Sequence, residues 1–256
     1  MNIFKSIFDF YIKSSIHVAV AVFSLVQITK ITLNITDAAN LSYVVFFGTI
    51  IGYNFLKYGK LFASNKYFFK NKTEIFIVSL LASFEMVFYF LQLSNEIKLA
   101  LCQIGIVVLL YPFFRKYGIF KMFIVAFCIT FITVYVIALQ DKIQVIYLLQ
   151  RFFIIVCLLI PLEIVDLEID AKSIITLPQI IGTKKTKLFG YFLLLNCFLF
   201  DLYYTELKIY VIINTFILTL IALFIFFSSG NRSKYFASFW VESIPILWWL
   251  LLLIFS

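Results

Sequence analysis

Charge is what this sequence is shortest of: only 13% of its 256 residues are Asp, Glu, Lys or Arg. Charged residues make up roughly a quarter of an ordinary soluble chain, so the surface of a water-soluble domain of this length is missing. Long polar loops are missing as well, which leaves no room for a soluble domain between the apolar runs. Cysteine is sparse. Cys102, Cys128, Cys157 and Cys197 stand at irregular spacing inside apolar runs, and that pattern supplies neither a disulfide framework nor a metal motif. No Walker motif, dinucleotide fingerprint or nucleophile elbow is present. His17 is the one histidine, a turn inside the first apolar run, and it reads as a packed polar group rather than a catalyst.

What fills the chain is hydrocarbon. Apolar residues make up 64% and aromatics 20%, with a mean hydropathy of +1.06. A membrane-crossing helix needs about 20 mainly apolar residues, and polar breaks divide the sequence into nine such stretches. They run over 15–33, 41–58, 74–93, 97–114, 119–139, 143–165, 187–204, 208–228 and 239–255. The fold class expected is an all-α integral membrane bundle of nine transmembrane helices, one domain over residues 1–256. No small-residue cleavage pattern follows the first stretch, so it reads as an uncleaved span. The amphipathic Ile3–Ile12 before it reads as an interfacial segment.

Basic residues orient the bundle. With the N-terminus in the cytoplasm, alternate loops place sixteen Lys and Arg on the cytoplasmic side and five on the other. The loop after the second span alone carries Lys57, Lys60, Lys66, Lys70 and Lys72. That bias fits the positive-inside rule for nine spans, with an outward C-terminus, in a membrane of the bacterial inner (plasma) type. The net charge of +8 then reflects topology and anionic lipid headgroups rather than nucleic acid.

Chemistry concentrates at Glu163–Gly182, on the cytoplasmic side. Glu163, Asp166 and Asp170 fall three and four residues apart, which stacks them on one helical face. Glu168 points off that face. Three neighbouring carboxylates repel one another and need a counter-charge. Lysines at a helix end would serve; so would divalent cations, since hard oxygen donors suit Mg²⁺ bridging to phosphates. The chain then turns at Thr176-Leu177-Pro178 and Gly182 and runs into Lys184, Lys185 and Lys187. Pro161, just before the acids, removes a helical N–H.

Other polar groups lie within the spans. Asn54, near the end of the second, needs hydrogen-bond partners; Lys57 and Lys60 beside it read equally well as snorkelling anchors. Glu85 in the third span is costly there, and is either functional or protonated or paired in the bundle. Gln103 is a weaker case. Arg151 has Asp141 and Gln144 as candidate partners. Asp201 and Glu206 bracket an outer turn, Glu242 and Pro245 lie in the last span, and Trp248 and Trp249 suggest an outer aromatic belt.

Taken together, the nine stretches, the inward N-terminus and the acidic loop after the sixth resemble the UbiA superfamily of intramembrane prenyltransferases. Glu163, Asp166, Asp170, Thr176, Leu177, Pro178 and Gly182 are similar to that family's second aspartate-rich motif, with one residue fewer between Asp170 and Thr176 and no glycine before the threonine. The family's first motif, N-D-x-x-D-x-x-x-D, is degenerate. Asn54 matches, but Phe55, Tyr58 and Phe62 stand at the aspartate positions.

The resemblance implies a fold, a Mg²⁺ cofactor and a reaction: transfer of an isoprenyl group from its diphosphate to a lipophilic acceptor such as a quinone-ring precursor. It further implies Asp166, Asp170 and Glu163 as metal ligands, with Asn54, Lys57, Lys60 and Lys13 on the diphosphate. The 33 phenylalanines include candidates for lining a prenyl channel. The missing first motif supports an alternative, a non-catalytic isoprenoid- or lipid-binding membrane protein. Glu85 and Glu242 lend weaker support to a small transporter, though no internal repeat is visible.

The charge bias makes one direct prediction. A reporter fused after Ser256 should read out on the extracytoplasmic side; a cytoplasmic signal there would remove the nine-span reading.

Overall fold

The computed structural model describes residues 3–36, 38–63, 71–114, 118–139, 144–167, 176–205 and 207–255, the side chains of 60–63 and 119 apart. Among these residues the chain is helical and contains no strand. The helices are α1 (Ile3–Lys13), α2 (Ile16–Thr32), α3 (Ala39–Ala63), α4 (Lys72–Leu91), α5 (Asn95–Phe114), α6 (Ile119–Thr130), α7 (Val145–Val165), α8 (Leu177–Ile181), α9 (Thr183–Tyr204), α10 (Lys208–Phe227) and α11 (Ile244–Phe255). Two wider π-helical turns, Phe131–Tyr135 and Phe236–Val241, extend α6 and lead into α11. The second precedes Pro245, which has no N–H for the next intrahelical bond.

Seven helices are long and apolar enough to cross a membrane. An eighth is gained if α1 and α2, bent by 55° at their junction, count as one span, and Phe120–Tyr135 is a shorter apolar helix. Each of the nine expected stretches therefore has a helical counterpart. By length and composition the described residues support seven or eight full spans.

Packing follows the hydrophobic pattern around the bundle rather than along it. α2 packs on α3 and α11, α3 on α4, α6 on α5 and α7, α9 on α7 and α10, and α10 on α11. α4 and α5 are sequence neighbours, yet α4 packs mainly on α3 and α5 mainly on α6. Both are apolar on nearly every face, with only 11% and 17% of their spans buried, which is the surface a helix shows to lipid rather than to water. The largest core cluster gathers Ile28, Ile155, Ile160, Ile164, Ile217, Ile221 and Leu252 from α2, α7, α10 and α11.

At one point α9 comes very close to its neighbours. A Cβ built on Gly190 would lie 2.9 Å from the side chains of Ile160 on α7 and Ile225 on α10, and the Cys157 thiol donates to the Gly190 carbonyl at 3.5 Å. Small residues permit such contact in membrane bundles. Gly190→Val should lower unfolding stability by ~1–3 kcal/mol, the usual cost of overpacking. Gly105→Ala, where nothing lies within 4 Å, should leave the melting temperature unchanged.

Candidate functional site

The site is built around the break between α1 and α2. Ser15 adopts a left-handed conformation, φ 64°, at the 55° bend between α1 and α2. Three side chains on one face of α3, spaced as helical neighbours, fasten three consecutive residues of the break. Tyr58 Oη donates to the Lys13 carbonyl at 3.0 Å, Asn54 Nδ2 to the Ser14 carbonyl at 3.1 Å, and Lys57 Nζ to Ser15 Oγ at 3.2 Å. Asn54 Nδ2 also donates to Ser79 Oγ of α4 at 2.9 Å.

This clamp recasts the degenerate first motif. Tyr58, at one lost aspartate position, holds the break; Phe55, at another, is 50% exposed on the outside of the bundle. The side chains of Lys60 and Phe62 lie outside the described residues. Asn54 has both amide donors engaged within the bundle, and its buried Oδ1 has no hydrogen-bond partner among the described residues. As bonded among the described residues, the amide of Asn54 has a free acceptor and no free donor.

The acidic face divides. Glu163 is buried near the end of α7, and its Oε1 lies 3.0 Å from Lys121 Nζ at the start of α6. A lysine, one of the two counter-charges the sequence allowed, therefore stands beside this carboxylate. Asp166 caps the C-terminus of α7, its N–H bonded to the Leu162 carbonyl at 2.9 Å. Asp170 and Glu168 lie outside the described residues. Among the described residues no group of three His, Cys, Asp or Glu side chains is placed to hold a metal ion.

One acid in this region was not legible as part of it. Glu242, at the end of the π turn before α11, lies within electrostatic reach of both Lys57 and Asp166, and Tyr53 lies within reach of Glu242. Its Oε2 is buried without a hydrogen-bond partner among the described residues. Residues 54–58, 166 and 242 thus belong to one end of the bundle. The signal available in the sequence was the cost of an acid inside an apolar span; nothing in it said which helices Glu242 would face.

The remaining motif positions are structural in the described residues. Thr176 N–H donates to Gln179 Oε1 at 2.8 Å and Pro178 follows at the start of α8, the chemistry of a helix N-terminus. Gly182 has φ 82°, a conformation glycine adopts without strain. Lys187 Nζ donates to the carbonyls of Phe226 and Ser228 at 2.8 and 2.7 Å, closing the end of α10.

Other expectations resolve by position. His17 is a packed polar group: its Nε2–H donates to the Phe239 carbonyl at 3.1 Å, leaving Nδ1 to accept from Tyr11 at 3.1 Å. Glu85 is exposed on the outer side of α4 and Gln103 on α5, so neither is paired in the bundle interior. Trp248 is no belt residue; it is 4% exposed, because its indole N–H and ring face buried polar groups. Arg151 is bonded to the Leu25 carbonyl and Thr29 Oγ1 rather than to Gln144; Asp141 and Glu206 lie outside the described residues. A cavity of about 220 Å³ beside Arg151 and Asp201 lies at the opposite end of the bundle and touches none of the expected metal or diphosphate residues.

No protein-family model matches the chain, and no curated protein sequence matches it. Solved structures do. The chain is similar to a digeranylgeranylglyceryl phosphate synthase at 19% identity and a TM-score of 0.60, covering 94% of this chain and 96% of that one. A UbiA homologue from Archaeoglobus fulgidus bound to GPP and Mg²⁺ is similar at 14% identity and a TM-score of 0.66, covering 94% and 98%. A second structure of a UbiA homologue from that organism gives 13% and 0.63, covering 94% and 95%. The fold is therefore the UbiA-like membrane bundle, over nearly the whole length.

The buried pair makes a prediction of its own. Lys121→Met should lower unfolding stability, by at most ~3–5 kcal/mol, because it removes the ammonium group 3.0 Å from the Glu163 carboxylate. Adding Glu163→Gln should restore much of that loss. A double variant no better than Lys121→Met would mean the two side chains are not partners.

Proposed function

We propose that this protein is a diverged UbiA-type prenyltransferase that moves an isoprenyl group from an isoprenyl diphosphate to a lipophilic acceptor. The observation that carries the reading is the convergence of Lys57, Asp166 and Glu242, from three separate elements, at one end of a bundle whose fold matches a GPP- and Mg²⁺-bound homologue. Lys57 contributes a compact positive charge for phosphate oxygens, held in place by Ser15 Oγ at 3.2 Å. The resemblance adds Lys13 and Lys60 as further candidate contacts for the diphosphate.

The oxygen set fits a hard divalent cation. Buried Oε2 of Glu242 and Oδ1 of Asn54 lack partners among the described residues, and Asp166 lies in reach of Glu242. Asp166, Glu242 and Asp170 would hold Mg²⁺, with Asn54 Oδ1 as a neutral donor; Glu163 is left out because Lys121 neutralises it. Bound there, the ion would offset charge on the departing diphosphate. The chain's own part is to orient the diphosphate against Lys57 and to keep water from the reacting carbon with apolar spans. With the N-terminus in the cytoplasm, as the charge bias argues, this end would face the side where soluble diphosphates are found.

Phe55 and Tyr58 at the lost aspartate positions favour the second reading, a binder of isoprenoid diphosphates without turnover. Purified protein with Mg²⁺ and a panel of isoprenyl diphosphates separates the two. The transferase reading predicts Mg²⁺-dependent pyrophosphate release, reduced at least ~100-fold by Asp166→Asn or Glu242→Gln, while Glu163→Gln retains activity. Substrate-induced thermal stabilisation with no pyrophosphate release from any donor would establish the binder instead.

A further inference from the structure

The cavity of about 220 Å³ at the other end of the bundle carries a second assignment, independent of the transferase reading because the two share no residue. Two side chains of opposite charge line it, and both are buried: Arg151 at 6% and Asp201 at 1% exposure. No ion pair joins them among the described residues; a chain of neutral side chains along the cavity wall leads from one to the other. The Trp248 ring lies 5.1 Å from the Arg151 guanidinium carbon, its Nε1–H donates to Asn214 Oδ1 at 2.9 Å, and Asn214 Nδ2 donates to Asp201 Oδ1 at 2.7 Å.

Each charge keeps capacity in hand. Arg151 gives one N–H to the Leu25 carbonyl at 3.1 Å and one to Thr29 Oγ1 at 3.2 Å. That bracing of α7 against α2 leaves the rest of the planar fork for another acceptor. Asp201 Oδ1 also accepts from Thr205 at 3.2 Å, and the Gln150 side chain lies within reach of the carboxylate, while the buried Oδ2 makes no direct hydrogen bond among the described residues. Bracing explains neither that oxygen nor the space beside it. Isolated charges in a membrane bundle are expensive; the direct relief is an Arg–Asp ion pair, and the Trp248–Asn214 relay holds the two apart.

We propose that this cavity binds a zwitterion, with its phosphate or carboxylate on Arg151, its ammonium on Asp201 Oδ2, and its short linker across the face of Trp248. A planar guanidinium grips tetrahedral or planar oxyanions through paired N–H bonds, and the indole face tolerates the cationic end. Two sources carry this chemistry: the ethanolamine-phosphate headgroup of a membrane lipid, and a free amino acid or amino phosphate.

Ligand-induced thermal stabilisation of the full chain, in detergent free of amines and phosphate, tests the assignment. O-phosphoethanolamine, glycine, inorganic phosphate and ethanolamine are the soluble probes. Nanodiscs of phosphatidylethanolamine against phosphatidylglycerol form the lipid arm. A zwitterionic probe should bind at least about tenfold more tightly than phosphate or ethanolamine alone, the scale of one added charge-assisted contact. Preference for phosphatidylethanolamine with no soluble response identifies the lipid as source; a glycine or phosphoethanolamine response identifies a free zwitterion. Asp201→Asn should abolish the preference over phosphate while leaving phosphate binding intact, and Arg151→Lys should weaken every anionic probe. If Asp201→Asn does not fold, the wild-type ratio of phosphoethanolamine to phosphate decides alone. Equal response to phosphate and phosphoethanolamine, or no response to any probe in either arm, overturns the proposal.

Discussion

Everything at the functional end of this bundle depends on three hydrogen bonds from α3 to the break at Lys13, Ser14 and Ser15. An open backbone turn inside a membrane protein is tolerable only if its polar groups find partners. Asn54, Lys57 and Tyr58 provide them at 3.1, 3.2 and 3.0 Å. The break bends α1 by 55° away from α2, and the same bonds fix where Lys57 points. One constraint thereby sets the entry of the chain and the position of the positive charge opposite Glu242.

The clamp also gives a physical account of the degenerate first motif. Aspartate at position 58 would bring an acceptor to the Lys13 carbonyl, itself an acceptor, whereas the Tyr58 hydroxyl donates to it. Position 55 is half exposed on the outer surface, where a phenylalanine meets lipid at no electrostatic penalty. A carboxylate from a distant segment, Glu242, is buried within electrostatic reach of Lys57 on α3.

Much of the fold was legible in the sequence because long apolar runs and their polar breaks are local signals. The nine stretches each found a helix, and the cost of a lone buried amide correctly marked Asn54 as needing partners. Pairings across the bundle were not legible. Lys121 and Glu163 sit on different helices and look like a basic loop and a metal-binding face until packing brings them to 3.0 Å. Glu242 is separated from Lys57 by most of the chain, and no spacing rule connects them. Trp248 read as a belt residue because its position along the span was visible, while Asn214 and Arg151, its buried partners, were not.

The central claim is that Lys57 and Glu242 face the same polar site, so their energies cannot be independent. A double-mutant cycle with Lys57→Met and Glu242→Gln, read as unfolding stability in the absence of any ligand, tests this directly. The two substitutions should be non-additive by at least ~0.5 kcal/mol, with the double variant less impaired than the sum of the single ones. Additivity within about 0.3 kcal/mol, the behaviour of distant and unconnected residues, would contradict it.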